Sequence, residues 1–155
     1  MRKFLLDTGI VLGYARSAGY AEYVDKKFDI FANTPLISVV SKGEIYSLAI
    51  QRNWGPNKLK LLDELLRKLP VVDINDDQII RRYAEIDTYS LGKNSAKPLS
   101  RGQTARPMGK NDLWIAATAS VLKASLLTTD HDFDHLNTIF LDVVHIDPKL
   151  TASDL

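Results

Sequence analysis

Short apolar runs that end at or near an acid, each followed by a helical pattern, constrain this chain more than any other feature. Phe4-Leu5-Leu6 stops at Asp7, and residues 8–15 then place Ile10, Val11 and Tyr14 at helical spacing. Gly19 breaks that pattern, and residues 20–31 resume it with Tyr23, Val24 and Phe28. Pro35 opens a second run, residues 36–40, and residues 41–51 read as a helix carrying Glu44. Trp54-Gly55-Pro56 is a turn, after which Asn57 caps a helix with Leu59, Leu62, Leu65, Leu66 and Leu69. Pro70 ends it, and residues 71–74 are a third strand candidate. Another helix starts at Asp76 or Asp77 and runs to about Leu91. Residues 92–109 are one long irregular stretch rich in Gly, Pro, Ser and Asn. A helix over residues 111–123 carries Asp112, and Leu126-Leu127-Thr128-Thr129 stops at Asp130. A brief helix or turn bears Phe133 and Leu136, and the last strand is residues 139–141 or Val143-Val144.

Strands that alternate with helices build an α/β fold, a parallel sheet covered on both faces. The chain has 155 residues, enough for one domain with a sizeable core, and a single domain over residues 1–155 is expected. Ligands of such sheets bind beyond the carboxyl ends of the strands. Asp7 and Asp130 follow strand runs directly, while Glu44 and Asp112 lie in first turns of helices that can face the same edge. Clustered carboxylates repel one another unless protons or a cation neutralise them. A divalent metal site accounts for the set of four and points to phosphoryl chemistry.

Each acid also has a purely structural reading. Ser41-Lys42-Gly43-Glu44 matches a capping box. Asp112 near a helix start favours the positive end of the helix dipole, and Asp7 and Asp130 can be ordinary N-caps. These readings are compatible with binding, because a carboxylate has two oxygens. Asp132 and Asp134 lie close to Asp130, and Asp132 offers a competing register for the fourth acid or a contact through water. Thr8, Ser41 and Thr128 or Thr129 can steady a ligand carboxylate or serve as caps. His131, His135 and His145 lack the HExxH spacing of a helical zinc site and read as surface or packing residues.

Other chemistries are excluded. There is no cysteine, hence no disulfide, thiolate catalysis or cysteine-bound zinc. GxGxxG, GxxxxGK[ST] and GxSxG patterns are absent. The first apolar run stops at Asp7, too early for a signal peptide or a membrane span, so a cytoplasmic protein without a membrane partner is expected. Net charge is +1, so attraction to nucleic acid has to come from local patches. One such patch exists. Between Thr88 and Asn111 there is no acid, but Lys93, Lys97, Arg101, Arg106 and Lys110 give a local charge of +5. The segment can grip phosphates or be a solvated loop. Trp54 and Tyr89 can stack on bases or pack in the core, and Trp114 reads as core or interface.

Four segments carry a family resemblance: LLDTGIVLGYA around Asp7, ISVVSKGEIYSLA around Glu44, GKNDLWIAATA around Asp112 and LLTTDHDF around Asp130. In this order and spacing the chain resembles a PIN-domain ribonuclease, most closely a VapC-type toxin of a type II toxin–antitoxin system, over essentially its full length. The resemblance implies a three-layer α/β/α sandwich around a parallel sheet. It implies a magnesium- or manganese-dependent endoribonuclease whose products carry 5′-phosphate and 3′-hydroxyl ends. Asp7, Glu44, Asp112 and Asp130 would be the catalytic and metal-binding acids, with Thr8 and Asn111 beside them. A homodimer neutralised by a small cognate antitoxin protein is expected. Residues 92–109 are longer than in many members, which leaves the local substrate contacts open.

Oxygen-only ligands suit magnesium or manganese. A bound ion lowers the pKa of a water and holds the scissile phosphate, so no side-chain nucleophile is required. Three other readings stand beside this one. Asp7-Thr8-Gly9 matches the Asp-Thr-Gly signature of aspartic proteases, a family built of strands. An aspartyl-phosphate phosphatase would use Asp7 as nucleophile and would not need Glu44. A catalytically silent RNA-binding module would keep the fold alone.

Overall fold

The computed structural model describes residues 1–155. Its strands are β1 (Lys3–Leu6), β2 (Thr34–Ser38), β3 (Val71–Val72), β4 (Ser125–Thr128) and β5 (Asp142–His145). All pair in parallel, in the order β3-β2-β1-β4-β5. The helices are α1 (Thr8–Arg16), α2 (Ala18–Phe28), α3 (Val39–Gln51), α4 (Pro56–Arg67), α5 (Asp77–Ser90) and α6 (Lys110–Leu122). β1 lies at the centre, so its side chains are apolar on both faces. Phe4 and Leu6 join one core with Ile10, Val24, Ile45 and Leu62, from α1 to α4. Leu5 points the other way and joins Ile86, Ile115, Ala116 and Phe133. β4 splits likewise, with Leu127 in the first core and Leu126 in the second. Burying each such side chain contributes roughly 1.5–3 kcal/mol. The result is the α/β/α sandwich expected from the alternation, and the strand-built protease architecture is ruled out.

Several boundaries differ from the sequence reading. α3 starts at Val39, because Ser38 caps it, accepting a hydrogen bond from the Val40 amide at 3.1 Å. Val39 and Val40 are therefore helical, not strand. The Ser41–Glu44 capping box does not form, and Glu44 lies in the second turn of α3. α4 starts at Pro56 rather than after Asn57, since the ring fits a first helical position that needs no amide donor. Gly19 sits inside α2; the break is at Ser17, whose hydroxyl accepts from the Tyr20 amide at 3.1 Å. β3 has only two residues, and the last strand is the Val143-Val144 alternative, not residues 139–141. Residues 92–109 contain no helix or strand. No helix is long and apolar enough to cross a membrane.

Candidate active site

β1 ends beside β4, and the backbone amide of Asp7 donates to the Leu127 carbonyl at 2.9 Å. This fixes Asp7 at the carboxyl edge of the two central strands. One carboxylate oxygen accepts from the Thr8 amide at 2.8 Å, which caps α1. The other accepts from the buried Thr128 hydroxyl at 2.7 Å. That hydroxyl oxygen in turn accepts from the Asp130 amide at 3.0 Å. Thr128 thereby ties the ends of β1 and β4 into one unit. Thr8 makes a second link, its hydroxyl donating to Glu44 at 3.2 Å. Gly9 allows this close approach of α1, because a Cβ there would run into the Thr129 hydroxyl.

Asp112 enters from the first turn of α6, whose N-cap is Gly109. Asp130 caps the 3₁₀ turn His131–Leu136 by accepting from the Asp132 amide at 2.9 Å. Carboxylate oxygens of Asp112, Asp130 and Asp132 lie within 4.8 Å of one another. Asp132, the competing register in the sequence, thus joins Asp130 rather than replacing it. Asp112 is pushed up to about 7, first by burial and then by the charges of Asp7, Asp130, Asp132 and Glu44. Asp7 is also raised, chiefly by burial, while hydrogen bonds from Thr128 and the Thr8 amide oppose the rise.

A positive charge arriving at this edge favours the ionised form of Asp112 and Asp7 and offsets the repulsion among the acids. Oxygen donors at this spacing fit a hard divalent cation, with Asp112, Asp130 and Asp132 on one side. Asp7 and Glu44 stand beside them, near enough to perturb Asp112. Asn111 is exposed and shares with Glu44 a cleft of about 500 Å³, together with Val40, Gly43 and Ser47.

The basic residues separate. Arg106 reaches the acids and pairs with Asp132 at 2.9 Å. Lys110 is the first residue of α6, two before Asp112. Lys97 instead lies 4.4 Å above the Phe140 ring, with its ammonium 3.5 Å from the Ile139 carbonyl. Phe140 precedes β5 and is held by Ser120 at the far end of α6, so Lys97 is at the opposite end of the sheet. Lys93 and Arg101 are exposed. Tyr89 is buried against Phe140, and Trp114 packs 4.3 Å from Tyr83. Tyr89 is therefore not free to stack on a base, whereas Trp54 is half-buried with the Lys58 ammonium 4.4 Å over its ring. Sequence reading took His135 only as surface or packing and assigned Ser90 no role. Ser90 is fully buried, and its hydroxyl lies 3.0 Å from the His135 ring. Only a tertiary contact joins these two, and no local pattern signals it.

The PIN domain family model matches residues 4–138, and the chain belongs to that family. No curated protein sequence matches it significantly. Among solved structures it is similar to VapBC2 from Rickettsia felis bound to a DNA fragment from their promoter. That match has TM-score 0.70 and 21% identity, and covers 92% of this chain and 98% of the other. FitAcB from Neisseria gonorrhoeae matches with TM-score 0.66 and 19% identity, covering 95% and 99%. VapBC-1 from nontypeable Haemophilus influenzae matches with TM-score 0.64 and 24% identity, covering 92% and 97%. The shared property at these identities is the fold.

Proposed function

We propose that the chain is a magnesium- or manganese-dependent endoribonuclease and the toxin of a toxin–antitoxin pair. The observation that carries this reading is the meeting of Asp7, Glu44, Asp112, Asp130 and Asp132 at one sheet edge of a PIN-family chain. Asp112, Asp130 and Asp132 would hold the cation, with Asp7 and Glu44 completing the site directly or through water. A divalent cation in such a site lowers the pKa of a water and neutralises phosphate charge. The protein's own part is to hold the carboxylates in place. Thr128 fixes Asp7 against Asp130, and Thr8 fixes Glu44. Asp130 would also position the attacking water. The products would carry 5′-phosphate and 3′-hydroxyl ends.

The phosphatase alternative fits poorly. Asp7 is only 7% exposed and tied down by the Thr8 amide and the Thr128 hydroxyl, which hinders in-line approach to a phosphorus, and a phosphatase would leave Glu44, linked to the same edge through Thr8, without a role. The toxin role and the antitoxin partner draw on the fold shared with the VapBC complexes. A homodimer belongs to the same reading, and sedimentation velocity tests it. The nuclease is tested by incubating purified protein with total cellular RNA, with magnesium or manganese, with EDTA, and with Asp112→Ala. Discrete fragments that require both the metal and Asp112 are expected. Cleavage that survives EDTA or the substitution overturns the reading.

A further inference from the structure

One cation of the irregular segment is held unlike the others. The Arg106 amide donates to the Ser90 carbonyl at 2.8 Å, and the Ser90 hydroxyl donates to the Arg106 carbonyl at 2.5 Å. Both polar backbone groups of Arg106 are thus clamped by one residue at the end of α5. Ser90 is fully buried, and its hydroxyl rests 3.0 Å from Nε2 of buried His135. His135 belongs to the same 3₁₀ turn as Asp132. The clamp therefore refers Arg106 to the element that carries the acids.

The side chain leaves this anchor toward Asp132, where Nη2 meets Oδ1 at 2.9 Å. Both side chains are about half exposed, at 43% and 52%. An ion pair so open to water is worth only about 0–1 kcal/mol, too little to account for a doubly clamped backbone. A guanidinium has five donors, and Asp132 receives one hydrogen bond from it. No other protein acceptor takes a hydrogen bond from it, and the side chain stays 43% exposed beside an acidic centre that repels a polyanion. A phosphodiester entering that centre needs a local cation, and a planar fork matches two phosphate oxygens.

We propose that Arg106 is the substrate-phosphate contact of this site, and that Ser90 and His135 act as its positioning residues. The proposal rests on the nuclease reading for its substrate class. Arg106 stands ready on Asp132 and binds a phosphate oxygen of the RNA strand with its free donors. Ser90 touches no substrate; it sets where the guanidinium points.

The test compares wild type, Arg106→Ala, Arg106→Lys and Ser90→Ala, with Arg81→Ala as a control. Arg81 pairs with Asp77 at the start of α5, the end away from Ser90. Binding of a labelled single-stranded RNA oligonucleotide is measured against salt with calcium, and single-turnover cleavage with magnesium or manganese. Arg106→Ala is expected to lower cleavage by about 10²–10³-fold, the range for losing one preorganised donor. It should also flatten the salt slope by roughly 0.7, the loss of one phosphate contact. Arg106→Lys should restore the slope but not the rate, because an ammonium lacks the fork. Ser90→Ala should slow cleavage while keeping the slope, and Arg81→Ala should change neither. If wild type cleaves and Arg106→Ala matches it in rate and slope, the proposal falls and the nuclease reading stands. If wild type binds RNA through Arg106 without cleaving it, the contact stands and the nuclease reading falls. If wild type neither binds nor cleaves the RNA, both fall.

Discussion

Among the acids, Asp112 and Asp7 carry the clearest consequences of their surroundings. The Asp112 carboxyl is raised from an ordinary 3.8 to about 7, so without metal the folded state binds a proton that the unfolded chain releases. Its stabilising contribution is fully present below pH 3.8 and is lost as pH rises through about 7. Asp112→Asn removes that loss. Melting of the metal-free variant above neutral pH should rise by roughly 2–4 °C, a shift discounted for solvent screening. Metal uptake displaces the same proton, so affinity for manganese should weaken as pH falls through about 7, which calorimetry can follow. Asp7→Asn tests the other acid. The amide oxygen still accepts from the Thr8 amide or the Thr128 hydroxyl, so circular dichroism should show an intact fold. Cleavage should fall by about 10²-fold or more. Undiminished cleavage by the folded variant would refute a role for Asp7.

Helix placement depends on small residues at contacts. Gly13 of α1 lies under the ring of Tyr20, and a Cβ there would approach two ring carbons to 2.5 and 2.6 Å. Tyr20 is fully buried and cannot move aside. Gly13→Ala should therefore destabilise the domain by about 1–3 kcal/mol, read as a lower urea midpoint. The same scale explains the misplaced start of α3. Leu36-Ile37-Ser38-Val39-Val40 has β-branched residues on both sides of Ser38, which local preference assigns to a strand. β2 ends at Ser38, opposite the last residue of β3, and the Ser38 hydroxyl caps the helix that follows. Glu44 reached the site by a route the sequence misdescribed: the second turn of a helix that begins earlier, steadied by Thr8.

At the scale of the molecule, a bound cation would join acids from the end of β1, from α3 and α6, and from the turn after β4. It binds the folded chain and not the separated pieces, so it stabilises by mass action. Manganese at a hundred times its dissociation constant should add about 2.7 kcal/mol and raise the melting temperature, and Asp112→Ala should abolish the increment. Thermal melts with and without the ion check this. The chain order of runs and acids was enough to read the parallel sandwich and to name Asp7, Glu44, Asp112 and Asp130 as one group. The unbroken apolar run Phe4-Leu5-Leu6 and the helical spacing after it are local properties, written in consecutive residues. What tertiary structure alone decided is which groups touch. Asp132 joins Asp130 because the 3₁₀ turn folds its carboxylate back toward Asp112. Lys97 and Arg106, nine positions apart in one basic segment, go to opposite ends of the sheet. Phe140 receives one and Ser90 clamps the other, and neither contact is encoded by spacing. Charge in a segment without regular structure has no periodic face, so only the distant residues that bind its backbone determine where each cation points.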